Sequence, residues 1–207
     1  MALLGACIVL LLGAGVVGAL TVDEGGGRGG SGRGVAAPSE PAPPLPPIDL
    51  EAIVVPGPPG FDQIPDARLL VGGNVDLEKL ALERGEQTTA VFLETRLVNG
   101  FVRAWQKQDT GELVTVRLYQ FADGAGATSY AKRVIAAMSK RPATTFNVPA
   151  TTDTVGIDTQ VQQGANRLSY VFSRKGRVVS AIAATVIPPP EAGFLAPFAR
   201  SQLALLP

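Results

Sequence analysis

Two arginines on consecutive strands are the residues whose type and spacing could do chemistry. Arg103 lies in a strand pattern over residues 101–108, and Arg117 in a second over 112–121. Asp109-Thr110-Gly111 between them has glycine at the third loop position, which fits a type I turn closed by a G1 bulge. That turn pairs Gln108 with Glu112 and sets Arg103 directly opposite Arg117. Like charges facing each other across a sheet are destabilising unless something sits between them. An anionic headgroup gripped by two guanidinium forks would do so. Phe101 and Trp105, across from Tyr119 and Thr115 in this register, would form an apolar wall beside it. Val102, Ala104 and Gln106 would then meet Leu118, Val116 and Val114 on the other face, the core. The structural alternative places Glu94, with Arg96, on the neighbouring strand as the acid that answers both charges. Ion pairs at protein surfaces are commonly structural only, so this alternative takes precedence.

Composition removes much other chemistry. The chain has 207 residues, 18 Lys and Arg against 18 Asp and Glu, no histidine and one cysteine. Without histidine there is no Ser-His-Asp triad, no Cys-His dyad and no His-ligated metal site. One cysteine allows neither an intramolecular disulfide nor a cysteine-cluster zinc site. A neutral balance does not suit a nucleic-acid binder. Asp62, Asp66, Asp76 and Glu78 do not have EF-hand spacing and read as caps or solubilising charges. Asp153 and Asp158 flank Gly156 and read as turn residues. Val71-Gly72-Gly73-Asn74 lacks the spacing of a phosphate loop, and no serine sits in GxSxG. Arg174-Lys175-Gly176-Arg177 could touch anionic lipid or wall polymer, although hairpin tips often carry such charge for solubility. No cofactor, metal or catalytic residue is expected, and the chain reads as a non-enzyme.

The segments that would position this chemistry begin with an uncharged apolar run over residues 2–22, long enough at about 1.5 Å per residue to cross a bilayer core. It reads either as an anchor or as a signal segment cut after Ala19, following Val17-Gly18. No Lys or Arg precedes it, so the usual orientation cue is missing. Cys7 follows Leu4-Gly5-Ala6 as in a lipobox. The hydrophobic stretch comes after this cysteine rather than before it, so Cys7 reads as a small apolar residue within the run. Residues 23–60 form a linker. Seven glycines fall in 25–34 and nine prolines in 38–60, a flexible coil followed by a polyproline-like spacer.

Residues 61–207 read as one exported domain. A helix is expected over 75–84 with Asn74 as N-cap and Gly85 as its stop. A strand is expected over 90–97. After the first hairpin comes a helix capped by Asp123, with Ala127, Tyr130, Ala131, Val134, Ile135 and Met138 on its apolar face. Residues 142–156, rich in Thr and Pro, read as a surface loop. A second hairpin joins 167–173 to 177–187 through Arg174-Lys175-Gly176. The near-continuous apolar run after it marks a central strand. A last helix begins near Pro197, with Phe198, Gln202 and Leu205 on one side. The expected fold is α+β: an antiparallel sheet of about five to six strands packed by two to three helices.

The strings Gly100-Phe101-Val102-Arg103-Ala104-Trp105, residues 114–123 ending in Phe121-Ala122-Asp123, and Gly126-Ala127-Thr128-Ser129-Tyr130 resemble exported actinobacterial envelope proteins of unknown function. The layout also resembles PsbP-like domains. The local likeness covers residues 100–140. It implies an envelope location and ligand or partner binding, and it carries over no catalytic residue. The expectation is therefore an extracytoplasmic accessory or partner-binding domain, membrane-tethered through residues 2–22 or secreted. Its partner would be another envelope protein or a lipid. The alternative is a carrier or sensor holding a small amphipathic or anionic ligand on the face of Arg103, Arg117, Trp105, Tyr119, Phe101 and Glu94.

Overall fold

The computed structural model describes residues 46–140, 142–149, 151, 153–160, 167–186 and 194–207. The apolar run at 2–22, Cys7 and the glycine-rich stretch lie outside the described residues. Within them, no helix is long and apolar enough to cross a membrane.

The chain forms β1 (Asp62–Gln63), a 3-10 turn (Asp66–Arg68), β2 (Gly73–Val75), α1 (Leu77–Arg84) and α2 (Glu86–Glu94). The hairpin of β3 (Leu97–Gln106) and β4 (Leu113–Phe121) leads into α3 (Gly124–Ser139). Then come β5 (Ala143–Phe146), β6 (Thr154–Gln160), β7 (Arg167–Lys175), β8 (Val178–Val186) and α4 (Ala196–Leu205). The strands make one antiparallel sheet in the order β1-β3-β4-β8-β7-β6-β5, with β2 also paired to β3. The architecture is α+β, with eight strands and four α-helices among the described residues rather than five to six and two to three. As its apolar run indicated, β8 is central, between β4 and β7.

Three local expectations give way. Residues 90–97 are not a strand, because α2 continues to Glu94. Thr88, Val91, Phe92 and Thr95 are all buried at i, i+3, i+4 and i+7, a helical stripe hidden by counting threonine as polar. Asn74 is not a cap: it pairs with Phe101 in the sheet, and Asp76 accepts from the Lys79 N–H at 2.9 Å instead. The expected loop at 142–156 contains β5 and the start of β6, which pair from Ala143↔Thr159 to Phe146↔Gly156. Threonines there suit an edge strand as well as a loop.

The sheet is covered on both faces. On one, α1, α2 and α3 enclose Phe92, Val102, Tyr119, Phe121 and Tyr130, with Ile157, Tyr170 and Phe172 continuing beneath Met138. Asp123 caps α3 by accepting from the Gly126 N–H at 2.8 Å. On the other face, α4 lies beside a segment that the prolines had assigned to the linker. Residues 46–60 run over the sheet, burying Leu50 and Val55, and Gly57 sits so close to the Trp105 indole that a Cβ there would collide with it. The segment has few regular hydrogen bonds of its own, so amide side chains supply them. Buried Gln120 accepts from Ile48 N–H (2.7 Å) and donates to Pro46 O (3.2 Å). Buried Gln202 accepts from Val55 N–H (3.1 Å) and donates to Ile53 O (2.7 Å). Asn99 donates to Ile48 O at 3.1 Å. In α4 the expected Phe198 and Gln202 face inward, whereas Leu205 is exposed.

These glutamines generate a prediction. Gln120→Leu keeps the volume but strands the Ile48 N–H, while Pro46 O still accepts from Arg177, and should cost about 1–2 kcal/mol. Chemical denaturation of the full chain measures it. A loss below about 0.5 kcal/mol would mean the strap is not held by this side chain.

Candidate functional site

The hairpin of β3 and β4 decides where the expected site residues go. Lys107, not Gln108, pairs with Glu112: the Lys107 N–H donates to Glu112 O at 2.9 Å. The Gly111 N–H donates back to Lys107 O at 2.8 Å, with Gly111 at φ 73°. The loop is thus four residues, one longer than a G1 turn would give. A slip of one residue sends side chains to the opposite face. Arg103 pairs with Val116, and Arg117 with Val102. The two arginines lie on opposite faces of the sheet, and the cleft expected between them is not formed.

Each arginine meets a different acid. Arg117 makes a two-pronged pair with Glu83 of α1, Nη1 to Oε2 at 2.9 Å and Nη2 to Oε1 at 2.5 Å. The two side chains are 7% and 8% exposed, so this pair is inside the protein. A buried guanidinium is tolerable only with such close, planar compensation. Arg103 donates to Glu51 of the strap at 2.6 Å and lies over the Phe101 ring at 4.8 Å. Glu51 is half exposed, which makes this a rim contact.

The aromatic residues are core. Phe101, Trp105 and Tyr119 are all buried. Trp105 meets Phe198 edge-on at 6.0 Å, and Tyr119 lies 5.0 Å from Phe92 and 5.5 Å from Tyr130. Glu94 stands on α2 rather than a strand and pairs with Arg133 of α3. Arg96, at φ 58° just past α2, pairs with Asp123. The acids that answer the sheet arginines are therefore Glu83 for Arg117 and Glu51 for Arg103, neither of which the sequence reading singled out. The position of Glu83 on α1, one residue from the helix's C-terminal end, gave no local signal of a partner 34 residues away.

A different place brings cations together at the surface. An open cleft of about 500 Å³ lies between the tip of the β7–β8 hairpin and the second half of α4. Arg174, Lys175 and Arg200 line it, together with Asp153, which pairs with Arg174, and the apolar Leu203 and Ala204. Gly176, at φ 54°, leads the two-residue turn that joins Lys175 to Val178. The turn is one residue shorter than expected, with Lys175 still in the strand. The basic run was legible in sequence; its meeting with Arg200 was not, because α4 reaches the hairpin only through the tertiary fold. Among the described residues, no group of three or more His, Cys, Asp or Glu could hold a metal ion.

The buried pair gives a measurable asymmetry. Arg117→Met alone leaves Glu83 charged and enclosed and should cost about 3–5 kcal/mol, whereas adding Glu83→Leu should recover most of the loss. Arg103→Ala should cost about 1 kcal/mol or less. Denaturant midpoints of the three variants decide it. Equal losses for Arg117→Met and Arg103→Ala would contradict the burial difference.

No protein-family model matches the chain, and no curated protein matches it. Among solved structures, the chain is similar to the extracellular domain of PknH from Mycobacterium tuberculosis. The TM-score is 0.53 and the identity 9%, over 78% of this chain and 97% of that one. At this identity the likeness shows a shared fold.

Proposed function

We propose that this chain is an extracytoplasmic, non-enzymatic recognition domain, held at a membrane by residues 2–22 or released by cleavage after Ala19. The observation that carries the reading is the fold shared with the extracellular domain of PknH across most of both chains. Two features of this chain agree with it. The apolar run at 2–22 is long enough to cross a bilayer. The domain also closes both faces of its sheet with side chains alone, and its only cysteine, Cys7, lies within that run. A domain built this way needs no disulfide to persist outside the cytoplasm.

Two observations support recognition of a ligand or partner as the reading. Arg174 and Arg200 gather with Lys175 at an open cleft, and the sequence has no histidine and only Cys7 as a thiol for proton transfer or nucleophilic attack. The likeness to exported actinobacterial envelope proteins points the same way.

Protease accessibility tests the location. The full chain with a C-terminal epitope, expressed in an actinobacterial host, should lose the epitope when cells stripped of their outer layers meet proteinase K. Release of the epitope into the medium would mean cleavage, and retention in washed membranes would mean anchoring. Protection until the cells are lysed would overturn the proposal.

A further inference from the structure

We propose that the cleft between the β7–β8 hairpin tip and α4 is a binding site for a phosphate group, carried either by an anionic lipid headgroup or by a small phosphoester. The inference deepens the recognition reading and rests on it for its purpose, while its chemistry rests on the cleft alone.

The cations come from separate elements and converge on one space. Arg174 and Lys175 end β7, and Arg200 projects from α4. Arg200 is exposed and has no hydrogen-bond or ion-pair partner among the described residues. Arg174 Nη2 donates to Asp153 Oδ2 at 2.7 Å, but Asp153 is 53% exposed, so that pair is solvated and can open. Lys175 Nζ donates to Leu206 O at 2.6 Å. That bond answers the carbonyl end of α4, which would otherwise repel an anion. Two of the ammonium protons remain for a ligand.

Three cations and one side-chain carboxylate, Asp153 on Arg174, line the cleft, with Pro207 O near its Gly176 edge; the lining side chains carry an excess of positive charge that draws an anion. Two guanidinium forks and an ammonium suit the several oxygens and the high charge of a phosphate. The volume of about 500 Å³ exceeds what a phosphate fills, and Leu203 and Ala204 offer an apolar floor for the remainder of the ligand. A ligand with a charged head and an apolar or glycerol body therefore fits better than a bare ion.

The position favours the headgroup as the source. Arg177, in the same turn, donates from Nη2 to Pro46 O at 2.9 Å. The chain thus enters the described domain at the basic tip. Under the proposed tether, the chain coming from the membrane joins the domain at this tip. Basic residues near an anionic surface contribute about 1 kcal/mol each to holding it there, a several-fold gain in affinity per residue.

The experiment uses the full chain. In neutral detergent micelles, calorimetric titration with inorganic phosphate and with glycerophosphoglycerol should give binding in the high-micromolar to millimolar range. The Arg174→Gln/Arg200→Gln variant should weaken it by about tenfold or more. Arg200→Gln alone breaks no hydrogen bond or ion pair among the described residues, so it keeps the fold and should weaken binding by about threefold. In a second arm the chain is placed in nanodiscs of phosphatidylcholine, with or without about a third phosphatidylglycerol. Hydrogen exchange is then read over residues 174–177 and 198–205. Added protection with the anionic lipid, lost in the double variant, assigns the headgroup. Binding of the soluble phosphates without that protection assigns a free phosphoester. Absence of binding up to about 10 mM together with no lipid-dependent protection overturns the site, as does binding unchanged in the double variant. Either result can fall against this site while protease accessibility still places the domain outside the cytoplasm, so the two proposals fail separately.

Discussion

The pairing of Lys107 with Glu112 is the constraint from which the rest of the architecture follows. Side chains alternate strictly along a strand, so one hairpin register assigns every residue of β3 and β4 to a face. With this register, Val114, Val116 and Leu118 join Phe101 and Trp105 under α4 and the strap. Tyr119 and Phe121 join Val102 under the other helices. The neighbouring strand β8 continues the same division through Ile182 on one face and Val179 on the other. A three-residue loop would have put Arg117 among the residues that now contact the strap, and Val116 under α1. The bond from the Gly111 N–H to Lys107 O, made possible by the positive φ of Gly111, closes the longer loop and excludes that outcome.

The two faces then solve different problems. The face under α1 to α3 contains an aromatic cluster, Phe92, Tyr119, Phe121 and Tyr130, whose tilted and edge-on contacts give it a defined geometry. It also receives Arg117, and Glu83 arrives from α1 to neutralise it. That pair ties the register of the sheet to the placement of the helix, because neither charge can be left alone in the interior. The opposite face is covered in part by a segment without regular secondary structure. Backbone groups brought into an apolar layer need partners. Gln120 and Gln202 each supply both a donor and an acceptor to the strap, and Asn99 supplies a donor. Buried amides on a sheet face would be liabilities in a simple core; here they are what allows a proline-rich strap to act as part of it.

Elements with strong local signals were legible in the sequence. The Asp123 cap and the apolar stripe of α3, the central position of β8, and the start of α4 at its proline all stand as the pattern indicated. The failures have physical causes in particular residues. Residues 46–60 look like a spacer because their prolines forbid regular pairing, but proline does not forbid packing, and Leu50 and Val55 are held by side chains far along the chain. Residues 90–97 look like a strand because threonines interrupt the helical stripe only in a binary alphabet. The site expectation failed by a single residue of register. Its residue types were well chosen for an anion, but a turn's length cannot be read from Asp-Thr-Gly alone, and one residue separates a shared face from opposite faces.

That outcome also explains where binding chemistry can reside in this fold. A sheet covered on both sides has no free face, so an arginine in the middle of a strand must carry its counter-charge with it, as Arg117 does. Only where strands end does the cover stop and the solvent begin. The turn after β7 lies beside the end of α4, so cations from the strand and from the helix line one solvent-open space. Arg200 reaches that tip because α4 is anchored through Gln202 to the strap and through Ala199 to the core, which leaves its outer side to point along the sheet toward the hairpin. The same buried amide that secures the strap therefore fixes the helix that completes the cleft. Gln202 thus links the packing of the core to the geometry of the surface site.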